Sequence, residues 1–119
     1  DQGTTGYTGS SGNYYSTTNY TSETSITPNL DTTNIIVVSA QAVGLTLNNP
    51  IGSPVEGQKL LIRIKDNGTA RALSYDTAYR ASTDIPLPTT TILGKTLYLG
   101  FVWNSIDSKL DLLAVLGNI

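Results

Sequence analysis

From Asn34 onward the chain is written in short runs whose apolar residues recur at every second position, and no long stretch keeps a helical period. That pattern predicts an all-β domain. Asn34 to Ala40 and Leu45 to Leu47 read as the first strands, and Pro50 and Pro54 in the loop that follows forbid a central strand there. Gln58 to Lys65 alternates most cleanly, with Leu60, Ile62 and Ile64 on one face and Lys59, Leu61, Arg63 and Lys65 on the other. Asp66-Asn67-Gly68 predicts a type I′ hairpin turn, because Asn-Gly supplies its positive φ angles, with Ala70 to Tyr75 as the return strand. Ile85-Pro86-Leu87-Pro88 is an extended connection. Lys95 to Asn104 then places Leu97, Leu99, Phe101 and Trp103 on one face. Ile106-Asp107-Ser108 turns the chain, and Lys109 to Leu116 closes it, with Leu110, Leu112, Ala114 and Leu116 opposed by Leu113 and Val115. About seven antiparallel strands of this kind suit a jelly-roll-like β-sandwich.

Several strands are apolar on both faces. Ile35 and Val37 oppose Ile36 and Val38, and Tyr98 and Val102 oppose the Leu97 face. A single sandwich wets one side of each sheet, so the second apolar face needs another cover, and copies of the same chain are the expected source. Ile35, Val37, Tyr98, Val102 and Trp103 are therefore candidates for core or trimer interface. Trp103 continues the Leu97, Leu99, Phe101 stripe, which favours an anchor over a sugar platform.

Composition changes near residue 34. Residues 1–33 hold no Lys or Arg, fifteen Ser or Thr, and only Ile26 and Leu30 as aliphatic side chains, too little to fold alone. They read as an extended stem or strap, and residues 34–119 as the sandwich head. Gly3, Gly6, Gly9 and Gly12 keep the period that a collagen-like triple helix requires, although a plain Gly/Ser/Thr tether fits the same residues. Tyr14, Tyr15 and Tyr20 either strap the stem onto a neighbouring surface or form a stacking platform for a ligand.

At 119 residues one domain is expected, and Asp1 in place of an initiator methionine suggests that sequence upstream has been removed. No apolar run approaches about 20 residues, so neither a membrane span nor a retained leader is expected. Seven Lys and Arg against nine Asp and Glu disfavour a nucleic-acid partner. Histidine and cysteine are both absent, which removes disulfides, thiol nucleophiles, the usual general base and the commonest transition-metal ligand. No cofactor, metal or catalytic residue is expected. Asp66-Asn67-Gly68 lacks the later acidic positions of a calcium loop, as Ala70 and Ala72 show. Asp107 and Asp111 could pair for glycoside hydrolysis, but solvated turn charges are the commoner case. Lys59, Arg63, Lys65, Arg71 and Arg80 hold most of the positive charge. Hairpin pairing would gather Arg63, Lys65 and Arg71 as a partner surface or as plain edge protection.

Gly57 to Arg71 (Gly-Gln-Lys-Leu-Leu-Ile-Arg-Ile-Lys-Asp-Asn-Gly-Thr-Ala-Arg), Ala78-Tyr79-Arg80, Leu87-Pro88-Thr89-Thr90-Thr91 and Gly94 to Asn104 resemble motifs of bacteriophage structural proteins. In such head or tail fibres a β-rich C-terminal module often follows collagen-like triplets. The resemblance spans residues 34–116. It implies a homotrimeric fibre head on the virion surface, joined to other virion proteins through the N-terminal stem and displaying a surface for host attachment. It supplies no catalytic residue. The triplets here lack the proline of a strong collagen signature. A carbohydrate-binding module for a cell-surface glycan and a ligand-free trimerisation cap are the alternatives. For attachment, the loops Asn48 to Val55 and Thr77 to Pro88 are expected to meet the target.

Overall fold

The computed structural model describes residues 16–119, and among them nine strands and no helix form. They are β1 (Thr17–Tyr20), β2 (Ser25–Ile26), β3 (Ile35–Gln41), β4 (Leu45–Leu47), β5 (Lys59–Asp66), β6 (Leu73–Tyr75), β7 (Tyr79–Arg80), β8 (Thr96–Asn104) and β9 (Lys109–Leu116). A six-stranded sheet has the order β1-β3-β5-β8-β9-β7, and β2, β4 and β6 form a second sheet.

The chain visits the two sheets in turn from β1 to β6. Within the larger sheet β1 runs parallel to β3, with Tyr20 opposite Val38, and β3 runs parallel to β5, with Ile36 opposite Ile62. In the smaller sheet Ser25, Thr46 and Ser74 lie in one row of three parallel strands. Parallel neighbours need a crossover, and here each crossover is the visit to the other sheet. The first half of the domain is therefore a short parallel coil. Only β5 with β8 and β8 with β9 pair antiparallel, and β7 lies parallel against the start of β9.

This corrects the expected antiparallel sandwich. Two sheets do face one another over a single core, but most ladders are parallel, unlike those of a jelly roll. The expected hairpin of Gln58–Lys65 with Ala70–Tyr75 does not form either. Both edges of β5 are taken, by β3 and by β8, so β6 crosses to the smaller sheet and pairs with β4. Gly68 has φ 101°, while Asn67 keeps a negative φ, so the turn is not type I′.

Residue 34 is not an edge of packed structure. β1 and β2 precede it, and Ile26 and Leu30 are buried in the common core. The Gly3 to Gly12 triplets, Tyr14 and Tyr15 lie outside the described residues.

Alternation builds the core. Leu60, Ile62 and Ile64 of β5 meet Leu97, Leu99 and Phe101 of β8, with Ile36, Val38, Leu110 and Leu112 beside them, and Ile26, Leu45, Leu47 and Leu73 cover them from the smaller sheet. One corner of the coil is polar and buried. The Gln41 amide accepts from Glu23 N at 3.0 Å and donates to Val43 O at 3.0 Å and to Glu23 O, tying successive arcs together.

Candidate functional site

Burying Leu60, Ile62 and Ile64 turns Lys59, Leu61, Arg63 and Lys65 to the outer face of the larger sheet. Register sets out three rows there: Asn19, Val37, Arg63, Tyr98 and Leu116; then Thr17, Ile35, Leu61, Gly100 and Ala114; then Lys59, Val102, Asp111 and Arg80. The middle of this face is apolar and only half covered. Ile35, Val37, Tyr98 and Val102, four of the residues expected at core or interface, all lie on it, whereas Trp103 is partly buried against the core.

β9 carries a bulge between Leu112 and Ala114, which leaves Leu113 unopposed and 54% exposed. One extra residue reverses the alternation, so Ala114 and Leu116 face outward and Val115 packs inward, opposite to the expected pattern. Leu113 stands between two grooves. One, of about 300 Å³, runs between Ile35 and Leu61 on one side and Gly100 and Ala114 on the other. The second, of about 860 Å³, lies between Asp84–Thr89 and Leu113–Val115. β7 pairs only with Leu110 and Asp111, so among the described residues no strand covers the edge of β9 beyond them. Pro86 and Pro88, lacking N–H groups, keep the neighbouring segment from joining the ladder.

The four candidate cations are not gathered. Arg63 and Lys65 stand exposed on β5; Arg71 lies in the arc after β5 and donates to Asn67 Oδ1 at 2.9 Å. Arg80 sits at the far edge, donating from Nε to Asp111 Oδ1 at 2.6 Å and from a terminal nitrogen to Asp107 Oδ2 at 2.9 Å. Those bonds hold the Asp111 carboxyl below the usual range, with Arg80 the leading cause, and raise the Arg80 guanidinium further. Arg80 thus bridges the two carboxylates across the turn. At the same hairpin Glu56 accepts from Ser105 N at 2.9 Å and from its hydroxyl at 2.8 Å, which lowers its pKa.

The two loops expected to meet a target touch each other. Ala78 N donates to Asn49 Oδ1 at 2.7 Å, Asn49 Nδ2 to Thr77 Oγ1 at 3.3 Å, and Tyr79 OH to Asn48 O at 2.8 Å. Burial pushes the Tyr79 and Tyr75 hydroxyls up, so both stay protonated donors. Tyr20 packs against the core from β1. A cleft of about 660 Å³ lies between Leu30–Asn34 and Gln58, with Asp31 and Lys59 on its walls.

Leu61, Gly100, Leu113, Ala114 and Asp84 belong to this surface and were not singled out from sequence. The available signal was Gly100 in the middle of a strong strand, which marks a thin place in a sheet face. Among the described residues no group of three or more His, Cys, Asp or Glu could hold a metal ion, and no helix is long and apolar enough to cross a membrane. No protein-family model, curated protein or solved structure matches the chain.

Proposed function

We propose that the chain is the head of a homotrimeric virion fibre, a module that assembles with its own copies and displays a surface for host attachment. The observation that supports this reading is the outer face of the larger sheet. Ile35, Val37, Leu61, Tyr98, Gly100, Val102, Ala114 and Leu116 form an apolar field, broken in one row by Arg63, on a domain whose core is already complete on the opposite face. Apolar fields of this kind mark protein contacts. Threefold copies also give weak display loops useful avidity. The hydrogen-bonded loops at Asn48–Asn49 and Thr77–Ala78 are the display surface in this reading.

Light scattering on the full chain tests assembly, with a mass three times that of one chain expected; a monomer at tens of micromolar overturns the reading. Adsorption of the labelled protein to bacterial cells tests display. Replacing the two loops with short Gly/Ser turns should abolish adsorption and leave the trimer intact.

A further inference from the structure

The charges around the apolar field are unlike and lie apart. β5, which runs through the field, carries Lys59, Arg63 and Lys65 on either side of Leu61, and beyond β9 stands Asp84 at the rim of the larger groove. None of these four side chains makes an ion pair among the described residues, where the salt bridges are those of Arg80 with Asp107 and Asp111. Between β5 and Asp84, Gly100 and Ala114 form a trough and Leu113 a projecting knob. One chain thus carries cations on β5 and an acid-rimmed groove beside β9, with a ridge and a hollow between them. With β8 and β9 between them, these opposite charges cannot neutralise each other within one chain. They can do so between two copies.

We infer that a second copy of this chain docks on this face, with the β5 cations of one copy lying against the groove between Asp84–Thr89 and Leu113–Val115 of the next. The free edge of β9 in that groove is flanked by exposed apolar side chains, a surface that folded proteins cover. This inference rests on the proposed self-assembly and adds which surfaces meet.

The chain has no cysteine, so introduced thiols report contacts without background. In V37C/T89C one thiol sits on β3 and the other in the segment that lines the groove beside β9, with β5, β8 and β9 between them. A short bismaleimide should join them between copies, giving a covalent trimer on denaturing gels. Covalent dimers as the end product would support the contact and overturn the trimer count. Assembly by light scattering without any intermolecular cross-link would overturn the contact and leave self-assembly standing. A monomer by light scattering would overturn both. As a second readout, Asp84→Arg should leave the melting temperature of the dilute monomer unchanged and raise the concentration for half-assembly by about tenfold or more. Assembly of Asp84→Arg at the wild-type concentration would overturn the inference.

Discussion

The buried Asp66 carboxylate accepts a 2.6 Å hydrogen bond from Thr91 Oγ1, joining the end of β5 to the segment that closes the smaller sheet. The same carboxylate accepts from Gly94 N at 2.8 Å and Gly68 N at 3.0 Å, and Thr91 Oγ1 in turn accepts from Arg71 N at 2.8 Å. Thr91→Val keeps the shape and removes the hydroxyl from both bonds. It should cost about 1–3 kcal/mol in the urea unfolding free energy, because it strands a buried carboxylate oxygen and a backbone N–H.

Acid should unfold the domain through the same group. Burial pushes the Asp66 carboxyl up, but the bonds from Thr91, Gly94 and Gly68 and the Arg71 charge outweigh it and hold the group below the usual range. A carboxyl whose folded pKa lies below its unfolded one contributes stability that is complete above the unfolded value, about pH 4, and lost as pH falls through the folded value. The melting temperature should therefore be level from neutral pH to about pH 5 and fall below about pH 4. Asp66→Asn should melt lower at neutral pH and converge on the wild type in acid. Parallel curves would show that Asp66 is not the group responsible.

Gln41→Ala should loosen the first turn of the coil. It removes the amide that bonds Glu23 N, Glu23 O and Val43 O at a buried corner, leaving those backbone groups without partners. A loss of about 1–3 kcal/mol is expected. Hydrogen exchange should quicken in β1 and β2 before it does in β8 and β9.

Phe101 and Trp103 share a strand face but differ in burial. Phe101 is 1% exposed and stacks edge-on with Tyr79 at 5.4 Å between ring centres, whereas Trp103 is only partly buried at the strand end. Phe101→Ala should cost about 3–5 kcal/mol, and Trp103→Ala clearly less despite its larger ring. Equal losses in denaturant unfolding would place Trp103 deeper than its position indicates.

Gly52 is required where Gly57 is only preferred. Both have positive φ, 98° and 81°, but a Cβ on Gly52 would lie 2.9 Å from Asp31 Cγ and 3.0 Å from its backbone nitrogen, while Gly57 opens onto free space. Gly57→Ala should cost about 1–2 kcal/mol from conformation alone. Gly52→Ala adds a steric clash and should cost more, read as a larger drop in melting temperature.

That β3, β4, β5, β6, β8 and β9 are strands, and which residues of β5 and β8 point inward, was legible in the sequence; β1, β2 and β7 were not. The alternation of Leu60, Ile62 and Ile64 or of Leu97, Leu99 and Phe101 depends only on the two-residue period of an extended chain and on apolar burial, so it survives without knowledge of neighbours. The two-faced apolarity of Ile35 to Val38 was equally plain, and it marked the outer face that carries the candidate site. Tertiary structure alone decided who pairs with whom. Asp66-Asn67-Gly68 signals a change of direction, but not which sheet the chain enters next. β3 and β8 occupy both edges of β5, so the return strand had to cross the core and a parallel coil replaced the hairpin. The same holds for Leu113. A bulge is the mismatch between two paired strands, absent from either strand alone, and it is what turns Ala114 and Leu116 outward and opens the groove beside Asp84.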